Sequence, residues 1–126
     1  RMNVPADLLY TSEHEWIKIE GNTATIGVTE HAQSELGDIV MVELEAVGLE
    51  VGKGDSMGTL EAVKTVSDIF APLSGTVVEI NETLEAEPEQ INSDPYGAGW
   101  IVKIKFSNPE DQQHLLSAEK YADLAE

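Results

Sequence analysis

One stretch of the chain, Met57 to Val77, favours β structure over almost its whole length because Val, Thr, Ile and Phe recur through it (MGTLEAVKTVSDIFAPLSGTV). From Met57 to Ala71 it contains no proline, and its only glycine is Gly58. Strands typically run about five or six residues, so this stretch must reverse direction within itself. We predict that it bends at residues 62–65, Ala-Val-Lys-Thr, which include none of the usual turn residues.

The chain before this stretch is predicted to form short strands and one small helix. Two alternating runs on either side of Gly21-Asn22 predict a hairpin over residues 15–29. Thr29 as a cap and Gly37 as a stop predict a short helix between them. The next strand is predicted to carry the apolar residues Ile39, Val40, Met41, Val42 and Leu44.

After the stretch, two more strands are predicted, GTVVEI and WIVKIKF, joined by a long acidic connection over residues 81–99 that we expect to wrap over the surface. The C-terminal residues, about 108–125, are predicted to be helical. Asn108 and Pro109 suit a helix start, and Ser117 suits the cap of a second helix. Many short strands without a long helix predict a mainly β fold, a sandwich or barrel, in one domain over residues 1–126.

Charge and cysteine content exclude several classes of function. The 126 residues include 24 acidic and 7 basic ones, so the net charge is −17. Such a charge repels phosphate backbones and anionic lipids, so we expect neither a nucleic acid nor a membrane as partner. The chain has no cysteine, which excludes disulfides, thiolate nucleophiles and cysteine zinc clusters. No apolar run approaches the roughly 20 residues of a membrane span, and the first residues lack a signal peptide's pattern. We therefore expect a cytoplasmic protein, or a mitochondrial matrix protein if the chain has been processed.

Motifs for classical catalysis are missing. His14, His31 and His114 lie far apart in the sequence and lack metal-site spacing, so we interpret them as surface or packing residues. There is no Gly-x-Ser-x-Gly elbow and no phosphate-binding loop. The aromatic residues Trp16, Tyr96 and Trp100 are interpreted as packing residues.

Lys64 is the candidate for function. It lies on the predicted bend, and no other lysine occurs between Gly54 and Val102. The β-branched neighbours Val63 and Thr65 are stiff at χ1 and would hold the bend rigidly. An exposed, rigidly presented lysine suits recognition by a modifying enzyme or carriage of a covalent group.

Around this lysine, GTLEAVKTVSDIFAPLSGTVVEIN resembles the modified hairpin of lipoyl and biotinyl carrier domains. Three further stretches resemble the glycine cleavage system H-protein family: YTSEHEWIKIEGNTATIGVTEHAQSELGDIVMVELEAVG, INSDPYGAGWIVKIK and SAEKYADL. The resemblance covers about Tyr10 to Tyr121. Biotin carriers usually have methionines on both sides of the lysine, where this chain has Val63 and Thr65. Ala62 departs from the serine often found in the family.

The resemblance implies a barrel-sandwich hybrid with short flanking helices. It further implies that Lys64 carries lipoic acid in amide linkage, attached by a lipoate ligase or a lipoyl/octanoyl transferase. The implied role is a non-catalytic shuttle. Its arm collects an aminomethyl group of glycine from glycine decarboxylase, delivers it to an aminomethyltransferase and is reoxidised by dihydrolipoamide dehydrogenase.

The resemblance also implies a surface cleft that holds the loaded arm, whose primary amine is a cation. By position, Glu15 and Asp68 are predicted to bind it, with Glu13 and Glu35 as weaker candidates. Glu61 and Asp68 are predicted to help a lipoylating enzyme recognise the hairpin.

Two alternatives from other classes remain open. One is an H-like protein that relays lipoate to other lipoyl enzymes. The other is a binding module with the same fold and no modification.

Overall fold

The computed structural model describes residues 2–125 as strands and short helices. Nine strands and four α-helices follow one another, with a 3₁₀ helix over Pro109–His114 before the last: β1 Leu9–Tyr10, β2 Glu15–Glu20, β3 Thr23–Val28, α1 Glu30–Leu36, β4 Ile39–Leu44, β5 Glu50–Val51, β6 Ser56–Ala62, β7 Val66–Phe70, β8 Gly75–Ile80, α2 Thr83–Ala86, α3 Gln90–Ser93, β9 Val102–Phe106 and α4 Ala118–Ala125. No helix in this range is both long and apolar enough to cross a membrane.

The strands form two antiparallel sheets. The larger has six strands in the order β1-β2-β3-β9-β8-β5, and the smaller has three in the order β4-β6-β7. Inward-facing side chains of both sheets, such as Ile26, Ile104 and Leu60, form one continuous core. The predicted mainly β fold is confirmed. It is a sandwich whose sheets do not close into a barrel.

Local signals in the sequence place several elements correctly. The hairpin at Gly21-Asn22 pairs β2 with β3. The hydroxyl of Thr29 accepts the backbone N–H of Ala32 at 3.2 Å, and Gly37 ends α1 with a φ of 80°. Backbone in this left-handed region suits glycine, which has no Cβ to clash.

A second, aromatic cluster joins the C-terminal helix to the larger sheet. Trp16 and Tyr121 are buried in it, and Tyr96 and Trp100 pack against it. The Tyr121 ring stacks on Tyr10 at 4.7 Å between centroids. The predicted packing roles of the three aromatic residues are therefore confirmed.

The structure differs from the sequence prediction in β4. Ile39 is buried, but Met41 is 47% exposed and Val40 is 51% exposed. A β-bulge between Ile39 and Met41 in the pairing with β6 is the reason, because an extra residue reverses which face the following side chains occupy.

Two more differences lie in the C-terminal half. The connection over residues 81–99 does not merely cover the surface, because Leu84 of α2 and Ile91 of α3 are fully buried. The helix that begins after Asn108 is a 3₁₀ helix. Asn108 nevertheless caps it, accepting the N–H of Glu110 at 3.1 Å.

Candidate functional site

Lys64 lies at the tip of the hairpin formed by β6 and β7, where the sequence predicts a bend. Ala62 N–H donates to the Thr65 carbonyl at 2.8 Å and closes the loop. Val63 and Lys64 are both exposed, Val63 by 73%. Neither has a positive φ, so the loop accommodates a β-branched residue without strain. The lysine is thus presented on a short loop between two paired strands.

A cleft of about 250 Å³ lies beside this hairpin, between β7, α1 and the loop before β2. Its acidic lining residues are Glu13, Glu15, Glu35 and Asp68. The fold therefore brings together four carboxylates that are separated along the sequence. Glu61 does not line this cleft; it lies on β6, three residues before Lys64.

Glu15 is the most unusual of the four because it is only 3% exposed. One carboxylate oxygen accepts the Phe70 backbone N–H at 2.8 Å, and the other accepts the Thr11 hydroxyl at 3.1 Å. Burial is the largest cause that raises the pKa of Glu15 to about 7. The hydrogen bonds from Phe70 and Thr11 lower this pKa in part, and nearby Glu13 raises it. Near neutral pH this carboxyl group is therefore poised between its protonated and ionised forms.

Asp68 lies on the same strand that leads away from the lysine. It is exposed, and its carboxylate accepts the Ser56 hydroxyl at 2.9 Å. Asp68 follows Lys64 by four positions, so the two backbone positions are at most roughly 13 Å apart at about 3.3 Å per residue. A side chain lengthened well beyond a lysine can therefore place a group in the cleft that Asp68 lines.

Two histidines also meet at the cleft, which sequence separation did not indicate. His14 stacks on His31 with ring centroids 4.5 Å apart, whereas His114 lines a different cavity. Burial, and next the nearby His31, lower the pKa of His14. The stacking agrees with the interpretation of the histidines as surface or packing residues, although the sequence did not indicate that His14 and His31 touch. Their contact is non-local, since His14 precedes β2 and His31 lies in α1.

A hydrogen-bond chain connects the histidine pair to the C-terminal helix. The Tyr121 hydroxyl lies 2.7 Å from the Thr29 hydroxyl and 2.7 Å from His14 Nδ1. Thr29 already accepts from Ala32 N–H, so its own hydrogen can be donated to Tyr121, which then donates to His14. This arrangement leaves the hydrogen of a neutral His14 on Nε2. No group of three or more histidine, aspartate and glutamate residues within residues 2–125 is arranged for a metal ion.

A second cavity, of about 380 Å³, also has Glu15 in its lining. Phe70, Ala71, Pro72 and Leu116 give it largely apolar walls, and Lys53 and His114 also line it. Glu15 lines both cavities. Glu13 also lines both, so the two cavities share these two carboxylate residues.

A small β-sandwich that presents one lysine at the tip of a hairpin, beside an acidic cleft, defines the class of carrier domains. Comparison with known proteins gives the particular family. The sequence model for the glycine cleavage H-protein matches residues 8–126, and the chain belongs to this family.

Individual relatives support the same family assignment. The chain is 50% identical over 123 residues to the glycine cleavage system H protein of Salinibacter ruber, covering 98% of this chain and 99% of the relative. It is 53% identical over 123 residues to that of Staphylococcus saprophyticus, covering 98% of each. The crystal structure of a glycine cleavage system H protein from Mycobacterium marinum superposes with a TM-score of 0.87 at 41% identity, covering 95% of this chain and 97% of that one. The resemblance identified in the sequence is confirmed.

Proposed function

We propose that this chain is the lipoyl carrier of a glycine cleavage system and that Lys64 is its attachment site. The observation that carries the proposal is the position of Lys64, exposed at the tip of a closed two-strand hairpin. Attachment through an amide needs a lysine that an enzyme can surround, and a paired hairpin presents one at little cost in conformational entropy.

The chain's residues fit lipoic acid in two ways. Lys64 is free of positive-φ strain and stands clear of the core, and the cleft beside its hairpin offers acidic groups. When bound, lipoic acid supplies a disulfide that can be reduced and can hold an aminomethyl group.

Glu15 and Asp68 are proposed to receive a cation in the cleft, with Glu13 and Glu35 adding negative potential at its rim. Glu15 is the stronger candidate, because a buried carboxylate interacts with a cation in a low-dielectric setting. Its remaining lone pairs can accept from an ammonium group while Phe70 and Thr11 hold it in place. The apolar lining residues Val28, Leu36 and Leu60 exclude water around the same position.

The proposed partners are glycine decarboxylase, an aminomethyltransferase, dihydrolipoamide dehydrogenase and a lipoate-attaching enzyme. In this scheme the chain performs no chemistry itself; it raises the local concentration of its cargo at each docked active site. Because Salinibacter ruber and Staphylococcus saprophyticus, the sources of two relatives, are bacteria, the compartment that we propose is the cytoplasm.

The test is the intact mass of the protein after incubation with a lipoate ligase, ATP and lipoate. We expect a gain of one lipoyl group in the wild type and in Lys53→Ala, whose lysine is also exposed, and no gain in Lys64→Ala. An unmodified wild type that is folded would overturn the proposal and favour an unmodified binding module.

A second assay separates the carrier from a lipoate relay. The lipoylated protein is mixed with glycine decarboxylase, pyridoxal phosphate and ¹⁴C-glycine, and release of labelled CO₂ is followed. A carrier supports release in proportion to its concentration. If the lipoylated protein supports no release of labelled CO₂, the glycine-specific role is overturned and the lipoate relay is favoured.

A further inference from the structure

The end of the smaller sheet that holds Lys64 exposes an unusual number of large apolar side chains. Val40, Met41, Val63 and Val66, here called the collar, are 51%, 47%, 73% and 61% exposed. A cluster of exposed apolar side chains typically marks a site of interaction with another molecule. These four belong to three different segments, so their clustering is a product of the fold.

Strand register shows that Met41 and Val66 lie in one row, on either side of Glu61. Met41 pairs with Glu61, and Glu61 pairs with Val66, so the three form one row across β4, β6 and β7. The bulge at Val40 is what turns Met41 to this face. Val63 adjoins the row on the loop, one residue from Lys64.

The next row on the same face is acidic at both ends. Glu43 pairs with Thr59, and Thr59 pairs with Asp68. Residues two apart on a strand share a face, so Glu43 lies beyond Met41 and Asp68 lies beyond Val66. The collar is thus backed by carboxylates, with Glu61 at its centre.

We propose that the collar is the contact surface for the enzyme that acylates Lys64, and that this enzyme offers an apolar ring with Lys or Arg side chains around the mouth of its active site. This inference rests on the proposed function. The acidic row supplies the charge complementarity. A second copy of this chain is disfavoured as the occupant, because the same net charge of −17 on both partners would be repulsive.

The short reach of the unmodified lysine explains why we assign the collar to the acylating enzyme and not to a later partner. During attachment the amine of Lys64 attacks the carbonyl of an acyl adenylate. An amide bond forms, the acyl–phosphate bond breaks, AMP leaves with its electron pair, and the ammonium group gives up two protons. The reacting nitrogen is then only a lysine side chain away from the backbone, so the enzyme must cover the collar. Later partners act on a group held further out and cover it less.

The experiment compares two double variants. The collar variant combines Met41→Ser with Val66→Ser. The control combines Val47→Ser with Val78→Ser, two exposed valines outside the collar. Lipoylation is measured at steady state with a lipoate ligase, ATP and lipoate. We expect kcat/KM of the collar variant to fall at least about tenfold, through KM, because two apolar side chains lose their burial. The control should stay within about twofold. After prolonged lipoylation, the lipoyl disulfide of both variants should be reduced by NADH through dihydrolipoamide dehydrogenase, the reverse of its oxidation of the dithiol, at rates within about threefold of wild type.

An unchanged KM of the collar variant would overturn the inference while leaving the lipoyl carrier intact. Equal losses with dihydrolipoamide dehydrogenase would also overturn it, since the collar would then serve every partner alike. If the wild type is never lipoylated, both proposals fail together. A dimer in sedimentation that the collar variant lacks would reassign the surface to self-association. If thermal unfolding shows that the double variant is not folded, Val63→Ser on the loop provides the same comparison.

Discussion

At the scale of single residues, Glu15 shows how one buried group links stability to pH. The residue is nearly inaccessible to solvent and lines two cavities. Burial is the main reason why its pKa rises to about 7 from an ordinary value of 4.5. The folded state therefore binds a proton more readily than the unfolded chain, and ionisation of Glu15 opposes folding.

We predict that Glu15 favours folding most below about pH 4.5 and that this contribution is lost as the pH rises to about 7. Glu15→Gln cannot ionise, so at pH 8 it should be more stable than the wild type by at most about 3 kcal/mol. Urea unfolding between pH 4 and 8 measures the difference. Glu13→Gln, at an exposed neighbour with the same change of charge, is the control. Parallel pH curves for Glu15→Gln and the wild type would contradict the prediction.

Gly27 is a second residue whose identity the packing dictates. It pairs with Trp16 across β2 and β3, and a Cβ on Gly27 would lie 2.5 Å from Trp16 Nε1. The indole cannot easily move away, because its N–H donates to the Pro95 carbonyl at 2.9 Å.

Gly27→Ala is therefore expected to destabilise the fold by about 1–3 kcal/mol through overpacking. Chemical denaturation followed by tryptophan fluorescence measures this. Gly52→Ala is a matched control, since its Cβ would come no closer than 3.4 Å to Asp55. We expect the control to change stability by less than about 0.5 kcal/mol, and a similar small effect at Gly27 would show that the indole gives way.

At the scale of elements, the C-terminal helix is tied to the cleft by one hydroxyl group. Tyr121 of α4 bonds to Thr29, which caps α1, and to His14, which stacks on His31 of that helix. Three segments that are far apart in the sequence therefore share one hydrogen-bond chain. The helix contributes to the shape of the cleft without lining it.

We predict that Tyr121→Phe lowers the free energy of unfolding by about 1–3 kcal/mol, because Thr29 and His14 lose a buried partner. The ring remains stacked on Tyr10, so the loss measures the hydroxyl group alone. Tyr121→Leu removes the stack as well and should cost more. Urea unfolding of the two variants gives both values. Wild-type stability in Tyr121→Phe would mean that water replaces the hydroxyl.

Elements fixed by neighbouring residues were predictable from the sequence, and features that depend on distant pairing were not. Gly21-Asn22 marks its hairpin and Thr29 caps its helix through local geometry. The tip at Lys64 follows from the length of the β-favouring stretch. By contrast, the exposure of Met41 depends on a bulge opposite β6. The stacking of His14 on His31 similarly depends on how α1 packs against the loop before β2.

The candidate site likewise has one residue that the sequence locates and other features that depend on distant contacts. Lys64 could be located from the sequence, because a turn and a scarcity of lysines isolate it. The resemblance named the acidic residues of the cleft, but the near-complete burial of Glu15 arises only when Phe70 and Thr11 close around it. Among residues 2–125, four of the nine exposed large apolar side chains lie at the collar, and no alternation in the sequence distinguishes them from core residues.

At the scale of the whole molecule, the net charge of −17 governs behaviour in solution. The compact state brings these like charges together, so self-repulsion opposes folding, and dissolved ions screen it. The described ion pair between Lys103 and Glu79, at 3.4 Å, is partly exposed and offsets little of this repulsion.

We predict that raising NaCl from 10 mM to 500 mM increases Tm by a few degrees, corresponding to a gain on the order of 1 kcal/mol. Differential scanning calorimetry measures Tm, and sucrose at matched osmolality controls for effects other than screening. A Tm that falls with salt would show that attractive charge pairs outweigh the repulsion.

The bulge in β4 has a consequence for the protein's behaviour at high concentration. β4 is an edge strand of the smaller sheet, and an unpaired edge bearing Val40 and Met41 could template stacking of one molecule on the next. The irregularity between Ile39 and Met41 interrupts the even spacing of backbone donors and acceptors that such growth requires. The kink that exposes apolar side chains to a partner thus also makes this edge a poor seed for fibrils.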